Sequence, residues 1–145
     1  MIERYKIHNF KIHGDTDLSL SNLSILTGMN GMGKSSVIQS MLMLRESFLK
    51  GEFPQTVNLR GESFQIGQSS QLVNWNTAVE PHLLRISIMQ DCGCNFDFAY
   101  QYPLGDVTRL NQLPSAVFYS REELEKCSLF SGYFQYLSAF RDGPQ

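Results

Sequence analysis

The residues of clearest chemical meaning are the run Gly28-Met29-Asn30-Gly31-Met32-Gly33-Lys34-Ser35, which satisfies the phosphate-loop pattern G-x-x-x-x-G-K-[ST]. Its glycines allow the backbone to curl so that successive N–H groups point at phosphate oxygens. Lys34 can bridge the β- and γ-phosphates of a nucleotide, the hydroxyl of Ser35 can ligate Mg²⁺, and Ser36 can donate a further hydrogen bond. The run therefore predicts a Walker A phosphate loop that binds a nucleotide together with Mg²⁺.

Such a loop lies between a strand and a helix. Leu23–Thr27 is a short apolar run of the kind expected for a buried strand. After the loop, apolar residues at helical spacing predict a core-facing helix that Gly51 and Pro54 end. These apolar residues are Val37, Ile38, Met41, Leu42, Leu44, Phe48 and Leu49. The predicted helix would direct its positive N-terminal end at bound phosphates.

Two further strands are predicted before the loop. Alternating polarity over Arg4–Phe10 predicts the first strand, and Thr16–Leu20 the second, with a polar turn at residues 13–15 between them. The alternation assigns Tyr5, Ile7 and Asn9 to one face of the first strand and Lys6, His8 and Phe10 to the other.

The remainder of the chain reads as mostly β and loop. Residues 55–80 are rich in Gln, Ser and Asn and predict loops with short strands. Leu83–Met89 and Asn95–Tyr100 alternate around a turn at residues 91–94 and predict a hairpin. Beyond it we expect an irregular stretch over residues 103–114, a short helix over 121–130 and a strand over 133–139. Glu122 and Glu123 would open that helix, where acidic residues are favoured, so we assign them no chemistry.

Length and composition predict one ordinary globular domain. The chain has 145 residues, of which 42% are hydrophobic and 18% charged, with a net charge of −2. This charge offers no broad attraction to nucleic acid or to an anionic membrane. No apolar run approaches the roughly 20 residues of a membrane span, and the polar N-terminus does not resemble a signal peptide. We therefore expect a cytoplasmic protein without membrane partners.

The three cysteines, Cys92, Cys94 and Cys127, suit neither a disulfide framework nor a four-ligand zinc site. We interpret them as reduced thiols. Gly93 gives the backbone the freedom needed for a turn between the first two.

The N-terminal part of the chain resembles the opening of the ABC-type ATPases of the SMC, RecF and OLD (overcoming-lysogenization-defect) group. That opening runs from a strand through N-F-[KR], a short polar turn and two strands to G-x-N-G-x-G-K-S-[ST]. The match extends from residue 2 to about residue 50 and includes Asn9-Phe10-Lys11 and Asn30. The later segments LRGESFQIGQSSQLVNW and FQYLSAFRDGP resemble, more weakly, the antiparallel subdomain of OLD-like bacterial ATPases, which include ATPases of anti-phage defence.

This resemblance implies an α/β fold, the N-terminal lobe of a P-loop ABC-ATPase head. The lobe would have a mixed sheet around the Walker A helix plus an antiparallel β subdomain. Residues 1–50 would supply a strand pair, the Walker A loop and its helix, and residues 51–145 the antiparallel β subdomain and the start of the next segment. It also implies that Lys11 approaches the nucleotide. His13 borders the adenine or, as we favour, is a surface histidine, and Arg141 faces the site or braces a turn. The loop residues implied to bind ATP are Gly28, Met29, Asn30, Gly31, Met32, Gly33, Lys34, Ser35 and Ser36, with Lys34 catalytic and Ser35 on the metal.

Two motifs of these ATPases are not recognisable in the sequence. A Walker B segment needs four apolar residues followed by Asp-Glu, but SAVFYSREE is interrupted and RISIMQD lacks the glutamate. No L-S-x-G-[GQ] signature occurs, and Gln135 and Gln145 are only weak candidates for a Q-loop glutamine. We therefore expect a lobe of a longer ATPase that lacks turnover by itself.

For the whole ATPase, the resemblance implies that two copies form a head-to-tail homodimer around ATP and that hydrolysis releases it. The cycle would control DNA binding or an effector nuclease, in anti-phage defence or DNA repair. Two alternatives stay open. A membrane ABC transporter ATPase is disfavoured by the N-F-K opening and by Asn30, and a non-hydrolysing nucleotide sensor would use ATP only to order its fold.

Overall fold

A four-stranded antiparallel sheet forms the centre of the computed structural model, which describes residues 1–51, 53, 55–66, 71, 72, 74, 83–102, 112–115 and 117–137. The elements are β1 (Ile2–Phe10), β2 (His13–Ser19), α1 (Lys34–Leu49), β3 (Thr56–Asn58), β4 (Leu83–Gln90), β5 (Asn95–Gln101), β6 (Gln112–Pro114), α2 (Arg121–Leu124) and a 3₁₀ turn at Ser128–Phe130. The central sheet has the order β2-β1-β4-β5, and β3 pairs with β6 in a second sheet. The described chain is thus mixed α/β with antiparallel strands.

The alternation in β1 and β4 determines which face of the sheet is buried. Tyr5 lies opposite Ile88 and Ile7 lies opposite Ile86, and all four side chains are fully buried. Because successive side chains in a strand point to opposite faces, the residues between them face the other side. The predicted strand over residues 4–10 and the predicted hairpin of β4 and β5 are confirmed.

Helix α1 packs against the buried face of this sheet. Its apolar residues share one hydrophobic cluster with those of β1, β4 and β5, and the hydroxyls of Tyr5 and Ser40 lie 2.9 Å apart. The helix ends where Gly51 adopts a left-handed φ of 78°, a conformation that glycine reaches without strain. The predicted helix is confirmed, although Leu49 is exposed and Met43, outside the predicted set, is fully buried.

An arginine joins α1 to the C-terminal part of the described chain. The Arg45 guanidinium donates to the carbonyls of Leu129 and Ser131 at 2.8 and 2.6 Å. It also lies 5.1 Å from the centre of the Phe134 ring, a cation–π distance. The segment after the 3₁₀ turn is therefore attached to the helix that follows the glycine-rich loop.

The prediction of a buried strand at Leu23–Thr27 is wrong. The segment belongs to no strand, and the side chains of Leu23 and Ile25 are 78% and 75% exposed. The hydroxyl of Ser21 donates to the carbonyl of Leu23 at 2.8 Å. Apolar composition alone therefore does not bury this segment in the described structure, because a buried backbone also needs partners for its N–H and C=O groups, and no strand supplies them here.

Other boundaries also differ from the prediction. The turn after β1 is at Lys11 and Ile12, since Phe10 pairs with His13, and residues 13–15 belong to β2. The predicted helix over 121–130 is divided into α2 and the 3₁₀ turn. Residues 112–114 form β6 rather than an irregular end, and residues 133–137 form no strand. Residues 103–111, 138 and 139 lie outside the described residues.

None of the helices in the described ranges is both long enough and apolar enough to cross a membrane.

Candidate functional site

The glycine-rich loop, residues 28–33, leads directly into α1. Gly28, Gly31 and Gly33 all have positive φ, at 144°, 86° and 83°. Side chains with a Cβ rarely adopt this conformation, because the Cβ approaches the carbonyl oxygen. The spacing of glycines noted in the sequence therefore matches three positions of positive φ, which residues with a Cβ rarely occupy.

The N-terminal end of α1 has two features that favour an anion. Gly33 occupies the N-cap without a side-chain cap, and the first turn carries no acidic residue. The first helical hydrogen bond runs from the N–H of Val37 to the carbonyl of Gly33 at 3.2 Å, so the N–H groups of the preceding residues have no helical acceptor. Together with the helix dipole, these donors favour a negatively charged group.

Lys34, the first residue of α1, folds back over the loop. Its ammonium donates to the carbonyls of Gly28 and Met29 at 2.7 and 2.6 Å. An ammonium has three N–H donors, so a third donor can serve a phosphate oxygen. These two bonds hold the positive charge against the loop and also help to shape it.

The turn between β1 and β2 brings a second lysine to the same place. Asn9 and Lys11 both have positive φ, at 57° and 52°, which is rare for residues other than glycine. The buried Asn9 side chain donates to the carbonyl of Leu83 and accepts from the N–H of Asn74, both at 3.0 Å. The Tyr102 hydroxyl donates to the Asn9 carbonyl at 2.8 Å. These contacts hold the unusual backbone in place.

Lys11 extends from this turn toward α1. Its ammonium donates to the Oε1 of Gln39 at 2.7 Å. Partial burial lowers the pKa of Lys11, because removal from water disfavours the charged form. The side chain is therefore a fixed, partly desolvated cation rather than a freely solvated turn lysine, and a nearby anion would favour its charged form.

A cleft of about 270 Å³ lies between the turn and the loop. Its volume is near the lower end of the range for small-molecule sites, which suits the phosphate part of a nucleotide. Among the described residues, its lining contains two lysines and no carboxylate. The lining residues are Lys11, Ile12, Asn30, Gly31, Gly33, Lys34, Ser35 and Ser36.

Most of the sequence-predicted site residues thus lie around one cleft. Gly28 and Met29 contribute carbonyls to Lys34, while Met32 lines a second cavity of about 370 Å³ on another side of the loop. Sequence analysis missed Ile12 and Gln39. Helical spacing places Gln39 one turn beyond Ser35, but the sequence did not show that the turn would reach it.

The structure corrects the interpretation of His13 as a surface residue. We favoured a surface histidine, but its side chain is 7% exposed and lines the second cavity together with Leu18, Ile25 and Met32. The reason is that His13 pairs with Phe10 at the start of β2 and therefore lies beside the loop rather than in an exposed turn. Arg141 and Gln145 lie outside the described residues, and Gln135 is exposed.

Glu122 and Glu123 lie in the first turn of α2, where the sequence predicted them to open a helix. Ser120 caps α2 by accepting from the N–H of Glu123 at 3.2 Å, and the Glu123 carboxylate accepts from the N–H of Ser120 at 2.8 Å. This reciprocal pair is a capping box. The hydrogen bonds to Ser120 also lower the pKa of Glu123, so its carboxylate is occupied at the helix end.

Comparison with known families identifies the chain more closely. The family model described as AAA ATPase domain matches residues 1–125, a range that contains the glycine-rich loop, the turn between β1 and β2, and the cleft between them. No curated protein matches the sequence.

Proposed function

The chain belongs to the AAA ATPase domain family, and we propose that it binds ATP with Mg²⁺ in the cleft between the glycine-rich loop and the β1–β2 turn. The observation that carries this proposal is the convergence of positive groups. Lys11, Lys34 and the uncapped N-terminus of α1 meet at a cleft whose described lining has no carboxylate. An anion of several charges, such as a triphosphate, is the ligand that this arrangement favours.

Each predicted residue then has a role in the proposed complex. The backbone of residues 28–33 surrounds the phosphates, Lys34 compensates the charge of the β- and γ-phosphates, and Ser36 donates a further hydrogen bond. Lys11 adds charge from the opposite side of the cleft. The hydroxyl of Ser35 would hold Mg²⁺, and the ion would offset the negative charge of the phosphates when it is bound.

Hydrolysis is proposed for the ATPase as a whole. Lys34 would stabilise charge that develops on the transferred phosphoryl group. No Walker B carboxylates were recognised in the sequence, and we propose that residues 1–145 act as a nucleotide-binding N-terminal lobe whose turnover depends on residues outside it. This lobe would contain the loop and its helix in residues 1–50 and an antiparallel β subdomain in residues 51–145.

We further propose that the protein belongs to the SMC, RecF and OLD branch of these ATPases. This rests on the N-F-K opening and on Asn30. Asn9, Phe10 and Lys11 form a tight turn that lies beside the loop, which is a physical reason for these residue types at this position. In this branch the ATP cycle would drive a cytoplasmic head-to-tail homodimer that acts on DNA or an effector nuclease, in anti-phage defence or DNA repair.

Calorimetric titration with ATP and Mg²⁺ tests the central proposal, with phosphate release measured on the same samples. The Lys34→Ala variant should lose at least about tenfold in affinity, since one charge-assisted bond contributes about 1.5 to 3 kcal/mol. Lys50→Ala is the matched control, because it removes the same charge at the exposed C-cap of α1, at the opposite end from the loop.

Each outcome of this titration has a separate meaning. Binding that depends on Lys34 but not on Lys50 supports the site. Equal losses in the two variants would show non-specific attraction and contradict it, as would a protein that does not bind. Rapid phosphate release by the 145-residue chain would overturn the proposal that this lobe lacks turnover. Binding without release would fit either the lobe of a longer ATPase or a nucleotide sensor.

A further inference from the structure

His13 connects the β1–β2 hairpin to the end of the glycine-rich loop. Its Nε2 lies 3.0 Å from the carbonyl oxygen of Gly33, and its Nδ1 lies 2.9 Å from the hydroxyl of Thr16. The imidazole is almost completely buried. Both ring nitrogens are therefore engaged, one with a neighbouring residue of the same strand and the other with the loop.

The chemistry of the partners assigns the hydrogens. A carbonyl oxygen only accepts, so Nε2 must carry the proton that it donates to Gly33. The Thr16 hydroxyl can donate to Nδ1 or accept from it. The bond to Gly33 is therefore compatible with both the neutral and the protonated imidazole.

Gly33 has no room for a side chain on the side that faces His13. A Cβ on Gly33 would lie 2.6 Å from Nε2 of His13 and 2.5 Å from a methyl carbon of Ile12. The loop and the hairpin are thus in direct contact at this residue. By contrast, a Cβ on Gly28 or Gly31 would meet nothing within 4 Å, so among the three loop glycines the close packing is found at Gly33.

The geometry points to His13 as a positioning residue for phosphate binding, an inference that rests on the proposed nucleotide site. The Gly33 carbonyl and the Lys34 N–H belong to one planar trans peptide, in which they point in opposite directions. His13 holds this carbonyl together with the N–H of Val37, and it thereby helps to fix the direction of the Lys34 N–H on the other side. That N–H is one of the donors of the first turn of α1, and His13 itself does not line the phosphate cleft.

Two amide substitutions distinguish this role from simple packing. In His13→Gln, the amide nitrogen is as many bonds from the Cβ as Nε2 is in histidine, so it can reach Gly33. In His13→Asn, the amide is one bond shorter and can replace only the bond to Thr16. Both variants carry the same group in the same pocket, and they differ chiefly in whether Gly33 receives a hydrogen bond.

Affinity for ATP with Mg²⁺ is measured by calorimetry for both variants, and their melting temperatures are measured without nucleotide. We expect His13→Asn to bind about tenfold more weakly than the unsubstituted protein, as expected for the loss of one buried hydrogen bond, and His13→Gln to remain within about threefold. Equal affinities in the two variants, with or without a loss of stability, would overturn the positioning role.

Nitrogen-15 NMR of the His13 ring gives a second readout. The spectrum should show a protonated Nε2 whose signal shifts when ATP and Mg²⁺ are added, and an unprotonated Nε2 would contradict the inference. If Lys34→Ala abolishes binding while both His13 variants bind normally, only this inference fails. If the unsubstituted protein does not bind ATP, the proposed function fails and the role of His13 fails with it.

Discussion

Strand β4 and the segment that leads into the glycine-rich loop contain the same kinds of apolar residue in opposite surroundings. In β4, Leu84, Ile86 and Ile88 are completely buried, whereas Leu23 and Ile25 are mostly exposed. Strand β4 has β1 on one side and β5 on the other. The segment before the loop has no strand partner in the described part of the chain.

The difference extends to the way the backbone is held. The β1–β2 turn keeps two non-glycine residues, Asn9 and Lys11, at positive φ by means of several buried hydrogen bonds. The glycine-rich loop reaches positive φ with glycines and is held mainly by Lys34 and His13. The turn is thus held by buried hydrogen bonds from residues distant in sequence, and a bound anion would add contacts to the loop.

The largest expected effect comes from comparing two isoleucines. Ile86→Ala should reduce the free energy of unfolding by about 3 to 4 kcal/mol, since it leaves a cavity among packed side chains. Ile25→Ala should change it by less than about 0.5 kcal/mol, as is usual for exposed positions. Urea denaturation measures both values. A loss of several kcal/mol in Ile25→Ala would show that the segment is buried in solution.

Asn9→Ala tests whether the turn depends on its buried hydrogen bonds. The bonds to Leu83 and Asn74 are lost, and alanine tolerates positive φ less well than asparagine, so we expect a loss of about 3 kcal/mol. Asn95→Ala is the control, because Asn95 is exposed at the start of β5. Its stability should stay within about 0.5 kcal/mol of the unsubstituted protein. If both variants have the same stability, the turn is held by other contacts.

Two glycines of the loop give an intermediate effect. Gly31 and Gly33 have nearly the same φ, but only Gly33 has neighbours that a Cβ would meet. Gly33→Ala should lose about 2 kcal/mol of stability and Gly31→Ala about 0.5 kcal/mol, because part of the backbone strain is offset by a less flexible unfolded chain. Thermal unfolding of the two variants gives the difference. Equal values would argue against close packing of the hairpin on the loop.

The smallest effect is a difference in thiol reactivity. A hydrogen bond from Cys94 lowers the pKa of the exposed Cys92, while burial raises the pKa of Cys127 to about 11. The thiolate is the reactive form, so at pH 8 iodoacetamide should modify Cys92 first and Cys127 last. The reaction of Cys127 should accelerate only as the pH approaches 11. Mass spectrometry of the peptides follows each site, and equal rates at pH 8 would contradict the difference in environment.

The sequence predicted the elements whose signals are local. Alternation predicted β1, β4 and β5, and helical spacing with the preceding glycines predicted α1. Pairing between strands that are distant in sequence could not be predicted in this way. Leu23–Thr27 was therefore predicted to be a buried strand, although it pairs with no strand in the described residues. The position of the β1–β2 turn was missed by a few residues because Asn9 and Lys11 adopt positive φ without glycine, and this conformation depends on Leu83, Asn74 and Tyr102, which are distant in sequence.

The same contrast between local signals and long-range contacts applies to the candidate site. The glycines, Lys34 and Ser35 were identified from their spacing because the motif is contiguous. The contribution of Gln39 to Lys11 and of His13 to Gly33 could not be identified in this way, since each contact joins elements that only the folded chain brings together. Because the turn was predicted at residues 13–15, His13 was expected on the surface.

The hydrogen bonds from Arg45 to the carbonyls of Leu129 and Ser131 hold α1 at a point well away from the glycine-rich loop. The helix behaves as a stiff rod, and the eleven steps from Lys34 to Arg45 span roughly 16 Å at about 1.5 Å per residue. Taking Arg45 as the fulcrum, a tilt of about 7° would displace the Lys34 end by roughly 2 Å on this length. Such a displacement approaches the 2.7 and 2.6 Å lengths of the Lys34 bonds to Gly28 and Met29, so a small tilt of the helix would be enough to change how the loop is held.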